Sequence, residues 1–285
     1  MQETKRVLKL RQGIIKAIPK FPNNKETKTQ LESMHLTDLL IHYLSWMSRY
    51  ISIKPRKIVI EPAVTNDRRY KLLKSNIESL FEKVRNGDNL TPHLSLQALS
   101  RGYTPEASKR EPGVDRWADK DFLLNVMGYH HFHLGDRIEA KGHVERSDDV
   151  LFARVSREEI TAIGLFNHEV FEPIGENMSP ERKRLWEMFD ERTLRGTPPG
   201  FVVISSPIAT SGHPIHLVST AQEYSWVIRE VDPKLDDHKY ITELYAGAGT
   251  EVPKKSKLEW ALNFSDLGLH EKHYNYFFVL RRGFN

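Results

Sequence analysis

MGYHHFHLGDRIEAKGHVERSDDVLFARVSREEITAIGLFNHEVF, residues 127–171, decides how this chain is read. HHFHL, from His130 to Leu134, alternates polar and apolar positions as a strand does. Asp148 and Asp149 introduce a second apolar run, VLFARV (Val150 to Val155). Ser156 to Glu159 make a short turn, and ITAIGLF (Ile160 to Phe166) returns as the partner of a β-hairpin. Five of the thirteen histidines fall in this stretch: His130, His131, His133, His143 and His168. Arg137, Arg146, Arg154 and Arg157 accompany them.

Those residue types suit phosphodiester chemistry. Histidine moves protons near neutral pH, and arginine grips phosphate through paired hydrogen bonds. Spaced by two on a strand, His131 and His133 share a face, and His130 points to the other. Such a pair supplies a general base and a general acid, or two metal ligands. His168 follows the second hairpin strand and can approach the pair. If VLFARV alternates, Arg154 shares a face with Val150 and Phe152, beside the histidines. The plainer alternatives are histidines that satisfy hydrogen bonds at a half-buried surface, and an Arg154 paired with Asp148, Asp149 or Glu158.

The hairpin with its trailing Asn167-His168 resembles the RelE-like and barnase-like ribonuclease toxins, in which His, Arg and Tyr on such a sheet cut RNA. The resemblance covers about 45 of 285 residues and is one of strands and residue types. It implies His131 and His133 as acid and base, His168 as a third catalytic residue, and Arg137 and Arg154 as phosphate binders. It implies no metal or other cofactor. RNA is the partner it implies, with an inhibitory antitoxin-like protein as a second. One histidine would take the proton of a ribose 2′-hydroxyl that attacks phosphorus, and another would protonate the leaving 5′-oxygen. DNA, lacking the 2′-hydroxyl, would resist. The toxins are much shorter, with no counterpart to the helices before this stretch or the α/β segment after it.

Composition narrows the remaining choices. With no cysteine, disulfides, thiolate catalysis and cysteine-based metal sites are excluded. A net charge of +4 mildly favours an anionic partner. The positive runs KPRK, DRRYKLLK, ERKR and PKKSK are dispersed and read as solvated faces. No phosphate loop, dinucleotide fingerprint, nucleophile elbow or HExxH helix occurs. No apolar run reaches the roughly 18 residues that span a bilayer, and the opening residues do not form a secretory signal. The expected location is the cytoplasm.

Outside the decisive stretch, a charged opening runs to about Asn24. Thr37 is the expected N-cap of a helix DLLIHYLSWMSRYI, halted by Pro55. IVIEPAV (Ile58 to Val64) reads as a strand and Tyr70 to Val84 as a helix closing near Gly87. A long connection follows, in which His93 could join a site and Tyr103, a further substrate-binding candidate with Arg146, could stack on a base. Ser179 caps a helix with Pro180 at its first position. GFVVISSPIA and PIHLVST read as a hairpin, then two helices broken at Asp232-Pro233, then a final strand pair. Trp186, Trp226 and Trp260 are expected in the core of this half. His213, His216 and the acidic residues at 232–237 match no metal loop and read as turn and cap residues.

The fold class is α+β, antiparallel hairpins with flanking helices and a helical N-terminal region. Two regions are expected: 1–115, mainly helical with one strand, and 116–285, the α+β domain carrying the His/Arg cluster. The function expected is a metal-independent endoribonuclease, as a toxin or defence effector. The alternatives are a metal-dependent hydrolase or nuclease using His131, His133, His168 and Asp136, and a non-catalytic module that binds nucleic acid or protein.

Overall fold

The computed structural model describes residues 3–110, 117, 119–172, 178–198, 200–203, 207–254 and 256–284. Along the chain run α1 (Lys5–Ala17), α2 (Lys25–Ser33), α3 (Leu36–Met47), β1 (Lys57–Ile60), α4 (Pro62–Thr65) and α5 (Tyr70–Asn86). Then come α6 (Gln97–Ser100), α7 (Phe122–Met127), β2 (Tyr129–His133), β3 (Asp149–Val155), β4 (Glu159–Asn167) and α8 (Pro180–Leu194). The last elements are α9 (Ile215–Val231), α10 (His238–Gly247), β5 (Leu258–Asn263), β6 (Asp266–Glu271) and β7 (Tyr276–Arg281). The class is α+β with a helical N-terminal region. Two compact units interleave along the chain: unit 1 takes 1–48, 97–120 and 215–284, and unit 2 takes 49–96 and 121–214. The boundary expected at 115 lies outside the described residues, and the segment around it, 97–120, belongs to unit 1.

Unit 2 is built on a four-stranded sheet in the order β1-β4-β3-β2. β3 and β4 form the expected antiparallel hairpin, and β2 adds antiparallel to β3. β1 lies parallel to β4, so the sheet is mixed rather than a set of hairpins alone. Phe132, Leu151, Ala153 and Leu165 pack against Ile77, Leu80, Phe81 and Val84 of α5 on one face. On the other, Tyr129, Val150, Phe152 and Phe166 meet α7 and α8 through Leu123, Met127, Leu185 and Phe189. Burial on both sides is why ITAIGLF is a continuous apolar run rather than an alternation. The i, i+3, i+4, i+7 spacing of Ile77, Leu80, Phe81 and Val84 makes α5's apolar stripe. The helix ends on Gly87 at φ 75°. A side chain there would strike Pro55 as well as being strained, its Cβ only 2.5 Å from the proline nitrogen.

Unit 1 packs α1, α3 and α9 with a three-stranded antiparallel sheet, β5-β6-β7. Val7, Leu10 and Ile14 supply α1's stripe, and the Thr4 hydroxyl accepts from the Val7 amide to cap it. Two of its buried polar groups are paired across the unit. Asp232 accepts from Trp260 Nε1 at 2.8 Å and from the Thr4 hydroxyl at 2.7 Å, and Tyr224 donates to the Ser265 carbonyl at 2.6 Å.

Several elements depart from the sequence reading. The charged opening holds a helix, α1, because Val7, Leu10, Ile14 and Ile15 recur at helical spacing among the charges, and α2 starts directly after the opening with Asn24 as its N-cap. α3 starts at Leu36 with His35 before it, so Thr37 lies inside rather than capping it. IVIEPAV is strand only to Ile60, since Pro62 opens the short helix α4. PIHLVST is not a strand: it opens α9, a 17-residue helix. Ile208 and Pro214 form only an isolated bridge. The final pair is three strands, with the second turn at 272–275. Trp260 is buried, but Trp226 is 52% exposed. Among the described residues, no helix is long and apolar enough to cross a membrane.

Candidate histidine site

β2 ends in the site. Tyr129, His131 and His133 face the α7 and α8 side of the sheet, and the strand's edge-to-centre pairing sets His131 opposite Phe152 of β3. At the far end of β4 the chain turns into a single 3-10 turn, His168–Phe171. This returns His168 and Phe171 over the end of β2. The ring centroids of His131 and His133 lie 5.8 Å apart, and those of His133 and His168 5.6 Å apart in a near-parallel stack. Phe171 closes against His131 at 4.8 Å and His168 at 5.6 Å. The three expected catalytic residues are therefore neighbours, joined through the central His133.

Exposure falls across the cluster: the side chain is 37% exposed at His168 and 12% at His131, and His133 is 4% exposed as a residue. The site opens to solvent at His168. That ring's Nδ1 donates to the Asp148 carbonyl at 2.7 Å and lies 3.6 Å from an Asp148 carboxylate oxygen, so the neutral form of the ring carries its acceptor lone pair on Nε2. His131 Nδ1 lies 3.7 Å from Asp121 Oδ2. Asp121 also caps α7, accepting from the Leu124 amide at 2.9 Å, so its carboxylate is fixed where it supports a protonated His131. Burial lowers the His131 pKa, and Asp121 opposes that shift. Burial pushes His133 down to about 3, helped by the cationic forms of His131 and His168 and by Arg146. His133 is thus neutral through the ordinary range. Its Nδ1 is buried without a hydrogen-bond partner among the described residues, an unusual state for a buried polar atom.

Behind His133 the strand end is clamped. His93 Nδ1 donates to the His133 carbonyl at 2.8 Å, and its Nε2 accepts from the Lys83 ammonium at 2.9 Å. Asn76 Nδ2 donates to the Leu134 carbonyl at 2.8 Å. His93 is therefore a backbone anchor of β2. The next residues fold back on themselves, with the Glu145 amide donating to the Arg137 carbonyl at 2.7 Å. Gly135 permits that return, since a Cβ there would lie 2.0 Å from the Glu145 carbonyl oxygen.

The expected arginines separate. Arg146 follows this fold-back and acts electrostatically on both His131 and His133. Arg137 is exposed in the fold-back and is not among the largest electrostatic influences on either histidine. Arg154 is exposed and pairs in register with Tyr129, two residues from His131 along β2. There it influences the Tyr129 hydroxyl together with Arg192. Tyr103 belongs to unit 1 and is a packing residue. It is 6% exposed, its ring set edge-on to His42 and its hydroxyl donating to Gln30 at 3.1 Å. His130 faces the other side of the sheet beside Phe132, and His143 sits 3.2 Å from Glu139. Among the described residues, no group of three or more His, Asp or Glu is placed to hold a metal ion.

Two members of the site escaped the sequence reading. Asp121 has a readable signal, an acidic residue directly before the apolar FLLNVM run. Arg49, buried and acting on His131 from far along the chain, has none. No family model, curated protein or solved structure matches this chain.

Proposed function

We propose that unit 2 is a metal-independent endoribonuclease. The observation that carries this reading is the chain of three imidazoles, His131–His133–His168, with a carboxylate near each end, Asp121 at 3.7 Å from His131 and Asp148 at 3.6 Å from His168, and Arg146 in electrostatic reach. Proton transfer to and from oxygen needs a base with an available lone pair and an acid whose charged form is supported. His168 supplies the base: its Nδ1 is committed to a carbonyl, so Nε2 accepts the ribose 2′-hydroxyl proton. His131 supplies the acid: burial lowers its pKa against the opposing Asp121, which makes its imidazolium the readier donor to the departing 5′-oxygen. His133, neutral and buried, stands between the two rings and holds their spacing. Arg146 stabilises the charge that builds on phosphorus oxygens.

Cleavage of a mixed RNA pool, with excess chelator and with added divalent metal, tests the reading. His131→Ala and His168→Ala proteins of verified fold run beside the parent chain. Cleavage in chelator that both variants lose, with DNA of the same sequence left intact, supports it. Cleavage only with metal moves the site to the metal-dependent class. Binding of RNA without turnover makes it a recognition module whose histidines are structural.

A further inference from the structure

A second site of different chemistry lies in unit 1. Between the start of α1, the turn that precedes α10, and the first residues of β5 is a cleft of about 380 Å³, within the roughly 300–1,000 Å³ of small-molecule sites. Leu235, Ile241 and Leu258 form an apolar wall. The lining also carries four cations: Lys5, Arg6, Lys9 and Lys257. Two carboxylates also face the cleft, Asp236 and Glu259, and both are already neutralised. Asp236 takes Arg6 at 2.9 Å, and Glu259 is shared by Lys9 and by Lys272, the latter at 2.7 Å. The buried Asp232 behind them holds the other side of the Arg6 guanidinium at 3.1 Å.

Lys5 and Lys257 remain, with no carboxylate partner among the described residues. Lys5 and Arg6 also sit in α1's first turn, where there is no acidic residue. A cation there faces the positive end of the helix dipole, an unfavourable placement that a bound anion would reverse. We infer that this cleft binds a phosphate monoester of mononucleotide size, with the phosphate between the Lys5 and Lys257 ammonium groups and the less polar part against Leu235, Ile241 and Leu258. Phosphate suits point cations on flexible stems, and the apolar side chains of the same cleft ask for a ligand with a ring or a sugar attached. The same chemistry is offered by a free nucleotide and by the 5′-phosphate of an RNA strand. The inference is independent of the histidine site, which lies in the other unit.

Titration calorimetry on the full chain with inorganic phosphate, AMP, and a short RNA carrying either a 5′-phosphate or a 5′-hydroxyl tests it. Saturable binding of AMP is expected, weaker for inorganic phosphate, and weakening as salt is raised. Lys5→Glu with Lys257→Glu should raise the AMP Kd about tenfold or more. Both positions are exposed, so the fold should be kept. Glu259→Gln, which frees Lys9 and Lys272, should tighten binding, a direction that general loss of structure would not produce. His131→Ala should bind as the parent does. If only the 5′-phosphorylated RNA binds, the ligand is a strand end. Absence of saturable binding by every probe, or binding that ignores the Lys5/Lys257 reversal, overturns the inference.

Discussion

Asp119 of unit 1 and His133 of unit 2 are both almost inaccessible polar residues, at 2% and 4% exposure, but their surroundings treat them differently. Asp119 is surrounded by donors. Lys120 lies at 3.1 Å, Lys109 at 3.2 Å, and the Thr104 amide donates to its second oxygen at 3.1 Å. Burial opposes its charge, yet Lys120 and Lys109 hold its carboxyl below the usual range. His133 has an unbonded Nδ1 and cationic neighbours that disfavour its protonation. A buried charge that is paired and hydrogen-bonded serves the fold. A buried polar atom left without a partner costs stability, and such costs gather at working sites.

The sharpest way to break that contrast is to remove the orphan atom. His133→Phe keeps a ring of similar size between His131 and His168 while deleting both nitrogens. RNA cleavage should fall by about 10²–10⁴-fold, and stability in urea should hold or rise. A variant that cleaves normally, or one that unfolds much more readily, would make His133 a structural residue like Asp119. The converse variant is Asp119→Ala. It leaves Lys109 and Lys120 buried without their shared counter-ion, and should cost about 3–5 kcal/mol in denaturant unfolding. Cleavage per folded molecule should be unchanged. An Asp119→Ala protein as stable as the parent would show the network to be dispensable.

Acid should report on His133 as well. An unfolded histidine titrates near 6.5, whereas His133 is pushed down to about 3 by burial. Between those values the unfolded chain binds the proton and the folded one does not. The stabilising contribution is complete above about pH 6.5 and is lost as pH falls toward 3. His42 of unit 1, lowered to about 4 by its burial, acts in the same direction. Unfolding free energy should therefore decline below pH 6.5, and His133→Phe should make the decline shallower. An identical pH profile in the variant would mean that His133 does not carry the shift.

The two regions were unequally legible. The β3–β4 hairpin, the HHFHL strand, α5 with its Gly87 stop and α8 with its Ser179 cap are written in local pattern, because short turns and caps depend on neighbouring residues. PIHLVST misled because Pro214 and the β-branched run around it favour strand, while Leu217, Ala221, Tyr224 and Ile228 were recruited to one helical face by the unit 1 core. The parallel pairing of β1 with β4 joins residues about a hundred positions apart, and nothing local encodes it. Within the site, the two-residue spacing of His131 and His133 was readable from strand periodicity, whereas Arg49 reaches the site only through the tertiary fold. Tyr103 read as an available aromatic because loops usually lie on the surface. Its segment instead returns to the unit 1 core, where the Phe21 amide donates to the Tyr103 carbonyl at 2.9 Å.

The smallest expected effects belong to the arginines, and they grade the site from inside outward. Arg146 and Arg154 are both exposed and carry the same charge, so composition alone would rank them equally. Only Arg146 acts on the histidine pair, while Arg154 acts on Tyr129, toward the opposite end of β2. Charge at a developing phosphorane matters at short range and is screened in water within about 10 Å at 0.1 M salt. Arg146→Ala should therefore lower RNA cleavage about tenfold with stability unchanged to within about 0.5 kcal/mol. Arg154→Ala should leave the rate within about twofold and weaken RNA affinity only at low salt. If Arg154→Ala has the larger effect on rate at saturating RNA, the scissile phosphate lies nearer Tyr129, and the acid and base must be sought at that end of the sheet.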